Sequence, residues 1–277
     1  MAIKKTSLKT AVVVSSGLYS FLMVALPGEA ATFATSTGSF SFGDFSQLPA
    51  SVSTSTDTDT VSSGDGSIIT DATASAFFNQ NPAFSLNMVV SEALGEGANY
   101  LGIAESEASV LGQFEILENT NFEFAFVGLL DLFTAIDDPV TEQAQATGGI
   151  TFALLDEAAT VLTSFEIFGT LDTPSDGDEL FVDSTPNLDW TIDDAVFFSG
   201  PNELVETASI VVSGEYSQSF DESQLLTLVE FKTSETFISR EPVGQPPVQT
   251  PEPGILLSLA SLGGVAFSLR RAKDQAV

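Results

Sequence analysis

Phe122-Glu123-Phe124-Ala125-Phe126 places three phenylalanines at every second position. That period puts all three rings on one face of an extended strand and leaves Glu123 and Ala125 on the other. The same alternation recurs at Ser39-Phe40-Ser41-Phe42, Phe114-Glu115-Ile116, Phe165-Glu166-Ile167, Ile210 to Tyr216 and Val229-Glu230-Phe231. Each run sets an apolar residue beside a charged, polar or small one, as a sheet with one wet face requires. Gly, Pro, Asn and Asp punctuate between them, at Asp65-Gly66, Gly148-Gly149 and Asp176-Gly177 among other places. No alternation of strands with helices is visible. The expected class is therefore mainly β, with an antiparallel β-sandwich or jelly-roll body.

Working outward, some segments break the pattern. Leu154 to Leu162 and Asp221 to Val229 have room for short helices, the second opening on Asp221-Glu222-Ser223-Gln224, which suits a capping box. A further strand is the alternative there. Ser46 to Asp65, rich in Ser, Thr and Asp, reads as a solvated loop, and Asp137 to Gly149 as a polar connection. Prolines at 242, 246, 247, 251 and 253 make residues 241–250 a stiff, extended spacer.

The two ends have a different character. Lys4, Lys5 and Lys9 precede an apolar core from Ala11 to Leu26, and small residues follow at Gly28-Glu29-Ala30. This is the layout of a secretory signal peptide, residues 1–30, and implies Sec-type export. Cleavage between Ala30 and Ala31 puts Gly28 and Ala30 in the two pockets that demand small side chains, whereas cleavage after Ala31 puts Glu29 in one of them. At the other end Pro251-Glu252-Pro253 leads into an uncharged run, Ile255 to Leu269, closed by Arg270, Arg271 and Lys273. Spanning a bilayer takes roughly 17 to 25 apolar residues, so residues 255–269 with their flanks suffice for a thinned membrane. The basic cluster stays cytoplasmic, which leaves the body on the far side.

Between these ends, 35 of the 38 acids face only two bases, Lys232 and Arg240, a net charge of −33 over residues 31–250. Nucleic acid is a poor partner for such a body, since phosphate binding relies on clustered Lys and Arg. The chain has no cysteine and no histidine. It therefore lacks a disulfide framework, Ser-His-Asp or Cys-His catalysis, and histidine-ligated zinc. What chemistry remains must run on carboxylates, hydroxyls or two basic side chains.

The tripeptide Pro251-Glu252-Pro253, the hydrophobic stretch 255–269 and Arg270-Arg271, in that order, resemble the PEP-CTERM sorting signal of bacteria that make exopolysaccharide. The resemblance covers residues 251–277 and leaves the body untouched. It implies recognition by an exosortase-like processing enzyme, transient residence in the inner membrane, removal of the tail and delivery to the cell surface or matrix. An association with exopolysaccharide follows from the same resemblance.

The densest acidic region runs from Asp172 to Asp194. Calcium takes about six to eight oxygen ligands on adaptable backbone. Asp176-Gly177-Asp178 is the best nucleus for such a site, with Asp172 and Asp183 in reach along the chain. The spacing is not that of an EF-hand, and a solvated acidic loop is the simpler reading. A glycosidase could use two carboxylates without histidine, but 35 acids make some pair inevitable. Trp190, the single tryptophan, sits in an alternating run as a core or rim aromatic rather than a sugar platform. The chain therefore reads as an exported, acidic, structural or adhesive protein rather than a catalyst, with a calcium- or glycan-binding module as the alternative.

Overall fold

The computed structural model describes residues 31–199 and 204–241. Within them the chain forms twelve β-strands and no helix. These are β1 (Ala31–Gly43), β2 (Ser51–Gly64), β3 (Ser67–Gln80), β4 (Ala83–Glu96), β5 (Tyr100–Ile116) and β6 (Thr120–Ala135). They continue as β7 (Glu142–Leu155), β8 (Val161–Thr173), β9 (Glu179–Ser184), β10 (Asp189–Ser199), β11 (Val205–Phe220) and β12 (Gln224–Arg240). Two six-stranded sheets result, ordered β10-β11-β6-β1-β4-β3 and β2-β5-β12-β7-β8-β9, and every pairing is antiparallel. The sheets face one another as a β-sandwich. The signal peptide, the Pro-rich spacer and the sorting tail fall outside the described residues.

Strand directions alternate along the chain. Because the number of strands is even, the first and last end together. Ala31 donates its amide to Asp137 Oδ2 at 2.9 Å, and Glu241 donates its amide to the Thr141 carbonyl at 3.0 Å. Both contacts fall on the β6–β7 connection, which marks the proximal end of the sandwich. The opposite, distal end carries only turns.

The phenylalanine alternation fills the distal half of the interior. Phe40, Phe122, Phe124 and Phe126 of one sheet meet Phe114, Phe152 and Phe165 of the other, and all are at most 2% exposed. Phe40 stacks on Phe126 at 5.5 Å between centroids, and Phe126 meets Phe152 of the facing sheet edge-on at 5.2 Å. Each buried ring contributes about 1.5–3 kcal/mol relative to exposure, with offset and edge-on contacts adding to it.

The proximal half is built differently. There small and hydroxyl-bearing inward residues, with Ser91, Ser106, Ser234 and Thr236 all buried, alternate with apolar ones such as Leu130, Leu132, Leu171 and Ile238. The three serine hydroxyls find partners across the interior, Ser91 Oγ donating to the Ser234 carbonyl at 2.9 Å and Ser234 Oγ to the Ser36 carbonyl at 2.8 Å, whereas Thr236 Oγ1 is buried without one. Tyr100 reaches Thr32 Oγ1 at 2.5 Å, and burial pushes its phenol up to about 12. Small side chains leave less apolar area here, so hydrogen bonds take a larger share of the cohesion.

Several expectations are corrected. The Ser, Thr and Asp-rich stretch is not a loop: residues 51–64 form β2, the edge strand of one sheet, and are exposed at nearly every position. An edge strand exposed on both sides needs no apolar alternation, which is why its sequence resembles coil. Neither proposed helix is present: Leu154 to Leu162 is the end of β7, a turn over residues 156–160 and the start of β8, and Asp221 to Val229 is a three-residue turn followed by the start of β12, the strand alternative. The polar connection shrinks to residues 136–141, and the rest of it, through Gly148-Gly149, is β7 strand.

Candidate functional site

Three places gather chemistry. The first is the proximal turn between β8 and β9, which holds Asp176 and Asp178 beside Asp172, the penultimate residue of β8. Asp178 Oδ1 accepts the amide of Asp172 at 2.9 Å, while Gln143 Nε2 donates to Asp172 Oδ1 at 3.1 Å. Asp176 is exposed at the tip of the turn. Beneath it lies Glu206, the second residue of β11, which is buried and accepts from the Thr173 hydroxyl. Thr173 in turn contacts Thr134 at 2.5 Å. Burial, then the neighbouring Asp178 carboxylate, raises the Glu206 pKa above the ordinary range.

Asp183 is elsewhere. In β9 it pairs with Glu166, six positions along β8 from Asp172, and at about 3.3 Å per residue the two stand roughly 20 Å apart. The turn therefore brings Asp178 against Asp172, leaves Asp176 exposed at its tip and leaves Asp183 out. Among the described residues no group of three or more carboxylates has a metal-holding arrangement.

The second place is a shallow groove of about 360 Å³ on the outer face of the β7-β8-β9 sheet, walled by Thr151, Phe165, Glu166, Asp183, Ser184 and Val229. Glu166 and Asp183 are direct cross-strand neighbours in it. Burial, with the Asp183 charge second, raises the Glu166 pKa. Trp190 closes this edge: its indole Nε1 donates to Ser184 Oγ at 2.8 Å and its ring packs edge-on against Phe165 at 5.5 Å. It is a rim aromatic with its polar atom already committed, not an open stacking platform.

The third place is inside. Glu230 and Lys232 both point into the sandwich from β12, with no exposed side-chain surface, and the Lys232 ammonium donates to Glu230 Oε1. Asn87 of β4, in the facing sheet, donates to Glu230 Oε2 at 2.6 Å. The alternation at Val229-Glu230-Phe231 predicts Val229 and Phe231 on the core face of β12, and the structure has the opposite face inward. Glu230 is 1% exposed and Phe231 is half-buried, because here alternate positions Leu228, Glu230, Lys232 and Ser234 face inward. Two oppositely charged residues at spacing two are the one sequence feature that points to this pair.

Arg240, the other basic residue of the body, lies 3.4 Å from Glu142 and donates to the Gly97 carbonyl at 2.6 Å. Both cations among the described residues are thus paired with glutamates, Lys232 fully buried and Arg240 partly so, and the charges on the described outer surface are mostly carboxylates. Acids even face acids across strands: Asp59, Glu105 and Glu235 form one row over β2, β5 and β12.

The candidate sorting residues Pro251, Glu252 and Pro253, the basic residues Arg270, Arg271 and Lys273, and Ala30 of the leader lie outside the described residues. Ala31 is the first residue of β1. No protein-family model matches the chain, and no curated protein matches it in sequence.

Proposed function

We propose that the chain is an exported, non-enzymatic β-sandwich protein of the bacterial cell surface or extracellular matrix, handled at its C-terminus by an exosortase-like enzyme and associated with exopolysaccharide. The observation that carries this reading is the order of parts in residues 251–277: Pro-Glu-Pro, an uncharged run, and a basic stop. The body suits it in three ways. Both of its ends leave from the proximal end, so a tail held in a membrane would leave the distal end facing outward. Its two cations are paired with glutamates, which favours repulsion from anionic surfaces and solubility outside the cell. Its only tryptophan is committed to packing against Phe165 and to a hydrogen bond with Ser184.

The test is the mass of the mature product made by its own cells. A chain starting at Ala31 and ending near Pro253 agrees with export and tail removal, and a product retaining Arg270 to Val277 would defeat the processing step. A calcium-binding role is the second reading, favoured by the Asp172, Asp176 and Asp178 turn stacked on Glu206. Calorimetric titration with calcium decides that, since absence of both heat and a rise in melting temperature removes it.

A further inference from the structure

The Lys232, Glu230 and Asn87 group is a costly thing to bury. An ion pair taken out of water seldom recovers its desolvation, and replacing it with apolar residues is often neutral or better. All three side chains are sealed inside the sandwich, at most 1% exposed, so the group faces the protein interior alone. Nor does hydrogen bonding complete it: Asn87 Oδ1 is buried with no partner. The one lysine of residues 31–250 and a carboxamide from the opposite sheet bond the two oxygens of the same buried carboxylate, Lys232 at Oε1 and Asn87 at Oε2 of Glu230.

We propose that Lys232 and Asn87 become joined by an intramolecular amide bond, formed by attack of the lysine Nζ on Cγ of Asn87, with Glu230 relaying protons and ammonia as the leaving group. The reaction needs no oxidant and no cofactor. Glu230 takes a proton from the ammonium and so creates a neutral amine and a carboxylic acid. A half-turn of the Asn87 carboxamide sets Oδ1, the atom without a partner, against the protonated Glu230, which polarises the carbonyl. Nζ attacks, the Nζ–Cγ bond forms, and the tetrahedral centre collapses by breaking Cγ–Nδ2. Glu230 passes its proton to the departing nitrogen and recovers one from Nζ. One ammonium and one primary amide become one secondary amide and one ammonia, and the remaining proton stays on Glu230, which changes from a carboxylate to a neutral carboxylic acid.

The surroundings favour each step. Burial drives the Lys232 pKa down to about 8 and the Glu230 pKa up, so the neutral pair is within reach near physiological pH. The Phe40 ring lies 5.6 Å from Nζ, and the Phe half of the interior begins there, which keeps out water that would compete as nucleophile. The product has a structural rationale as well. Asn87 belongs to β4 and Lys232 to β12, in opposite sheets, so the bond staples the two layers of a protein that contains no cysteine. It also replaces two buried charges and an unpartnered oxygen with one amide.

This inference is independent of the export reading, and peptide-level masses separate the two whatever happens at the chain ends. The full chain is purified, denatured and digested with a lysine-specific protease and, separately, a glutamate-specific one. The expected result is no cleavage after Lys232, together with a branched peptide containing Asn87 and Lys232 that is lighter than its two arms by one ammonia. Glu230→Gln and Asn87→Ala should each restore cleavage and the full summed mass. Complete cleavage after Lys232 in the denatured wild-type chain, with both peptides at their full masses, would overturn the proposal. That readout needs no variant to fold.

Discussion

Arg240 and Glu142 stand opposite one another on β12 and β7, with the guanidinium Nη1 3.4 Å from Oε1 of a carboxylate that has no exposed surface. The other oxygen of Glu142 accepts the amides of Asp137 and Asp138 at 2.8 and 3.0 Å. This one side chain therefore ties the β6–β7 connection to the end of β12, at the place where both termini of the body leave it. Arg240→Met keeps the aliphatic stem but strands a buried charge. The two backbone donors remain, so the expected loss is about 1–3 kcal/mol, less than for a fully orphaned carboxylate. Urea unfolding checks this, and an unchanged midpoint would mean that the pair contributes nothing.

Stability should rise on mild acidification. Glu92, Glu107, Glu166, Glu206 and Glu235 all have pKa values raised above the usual carboxylate value, burial being the first cause in each case. For Glu92, Glu107, Glu166 and Glu235 the second cause is a neighbouring acid: Asp71, Asp57, Asp183 and Glu105 respectively. A raised folded-state pKa means that the folded chain binds more protons than the unfolded one. The stabilising contribution is thus complete below the unfolded value of about 4.3 and lost as pH climbs through the folded values. Asp138 opposes the trend, because hydrogen bonds from Thr141 and Val140 lower its pKa, but it is a single exposed group. Melting temperature should increase between pH 7 and pH 5, and at pH 7 it should increase with added salt, which screens the same repulsions. A melting temperature that falls over that pH range would contradict the assignment.

How much of this was legible in the residues depends on what each strand buries. Phe122, Phe124 and Phe126 announce their strand because they cover one apolar face, and the structure buries all three. β2 has no inward face to speak of, so Thr54 to Thr60 carries no period that could separate an edge strand from coil. β12 misleads for the opposite reason. It is central, with neighbours on both sides, and Val229, at 5% exposure, is nearly as buried as Glu230. Hydrophobicity then cannot tell its faces apart, and the polar residues turned inward are the ones a solvent-facing reading discards. The carboxylate turn at Asp172, Asp176 and Asp178 was legible as a cluster because its members are close in sequence. Glu206, which sits beneath it, comes from β11 and needed the fold to find it.

Asp137 gives a test of where the mature chain starts. Its Oδ2 accepts the Ala31 nitrogen at 2.9 Å. Cleavage after Ala30 turns that nitrogen into an α-ammonium and the contact into an exposed ion pair, for which about 0–1 kcal/mol is the ordinary range. Asp137→Asn should therefore lower the melting temperature of the mature protein slightly and make that difference sensitive to salt. In a chain still carrying its leader the nitrogen is an uncharged amide, and the salt sensitivity should vanish. Finding it equally in both forms would dissociate the effect from the new terminus.

Neighbouring glycines in β7 separate the two faces of the sheet most directly. Gly148 faces inward, where a Cβ would come 2.4 Å from a methyl of Leu130 and 3.0 Å from Ser36 Oγ. Leu130 is itself fully buried, so it has nowhere to retreat. Gly149 faces out, and its nearest neighbour would be the Thr233 hydroxyl at 3.1 Å, on a side chain with solvent beside it. Gly148→Ala should lose about 1–3 kcal/mol through overpacking of the layer between the sheets. Gly149→Ala should be close to neutral, since the lost clearance is offset by a less flexible unfolded chain. Equal destabilisation by the two substitutions would mean that the strand is not seated in this register, and Ile150 and Phe152, which share the inward face with Gly148, would be misplaced with it.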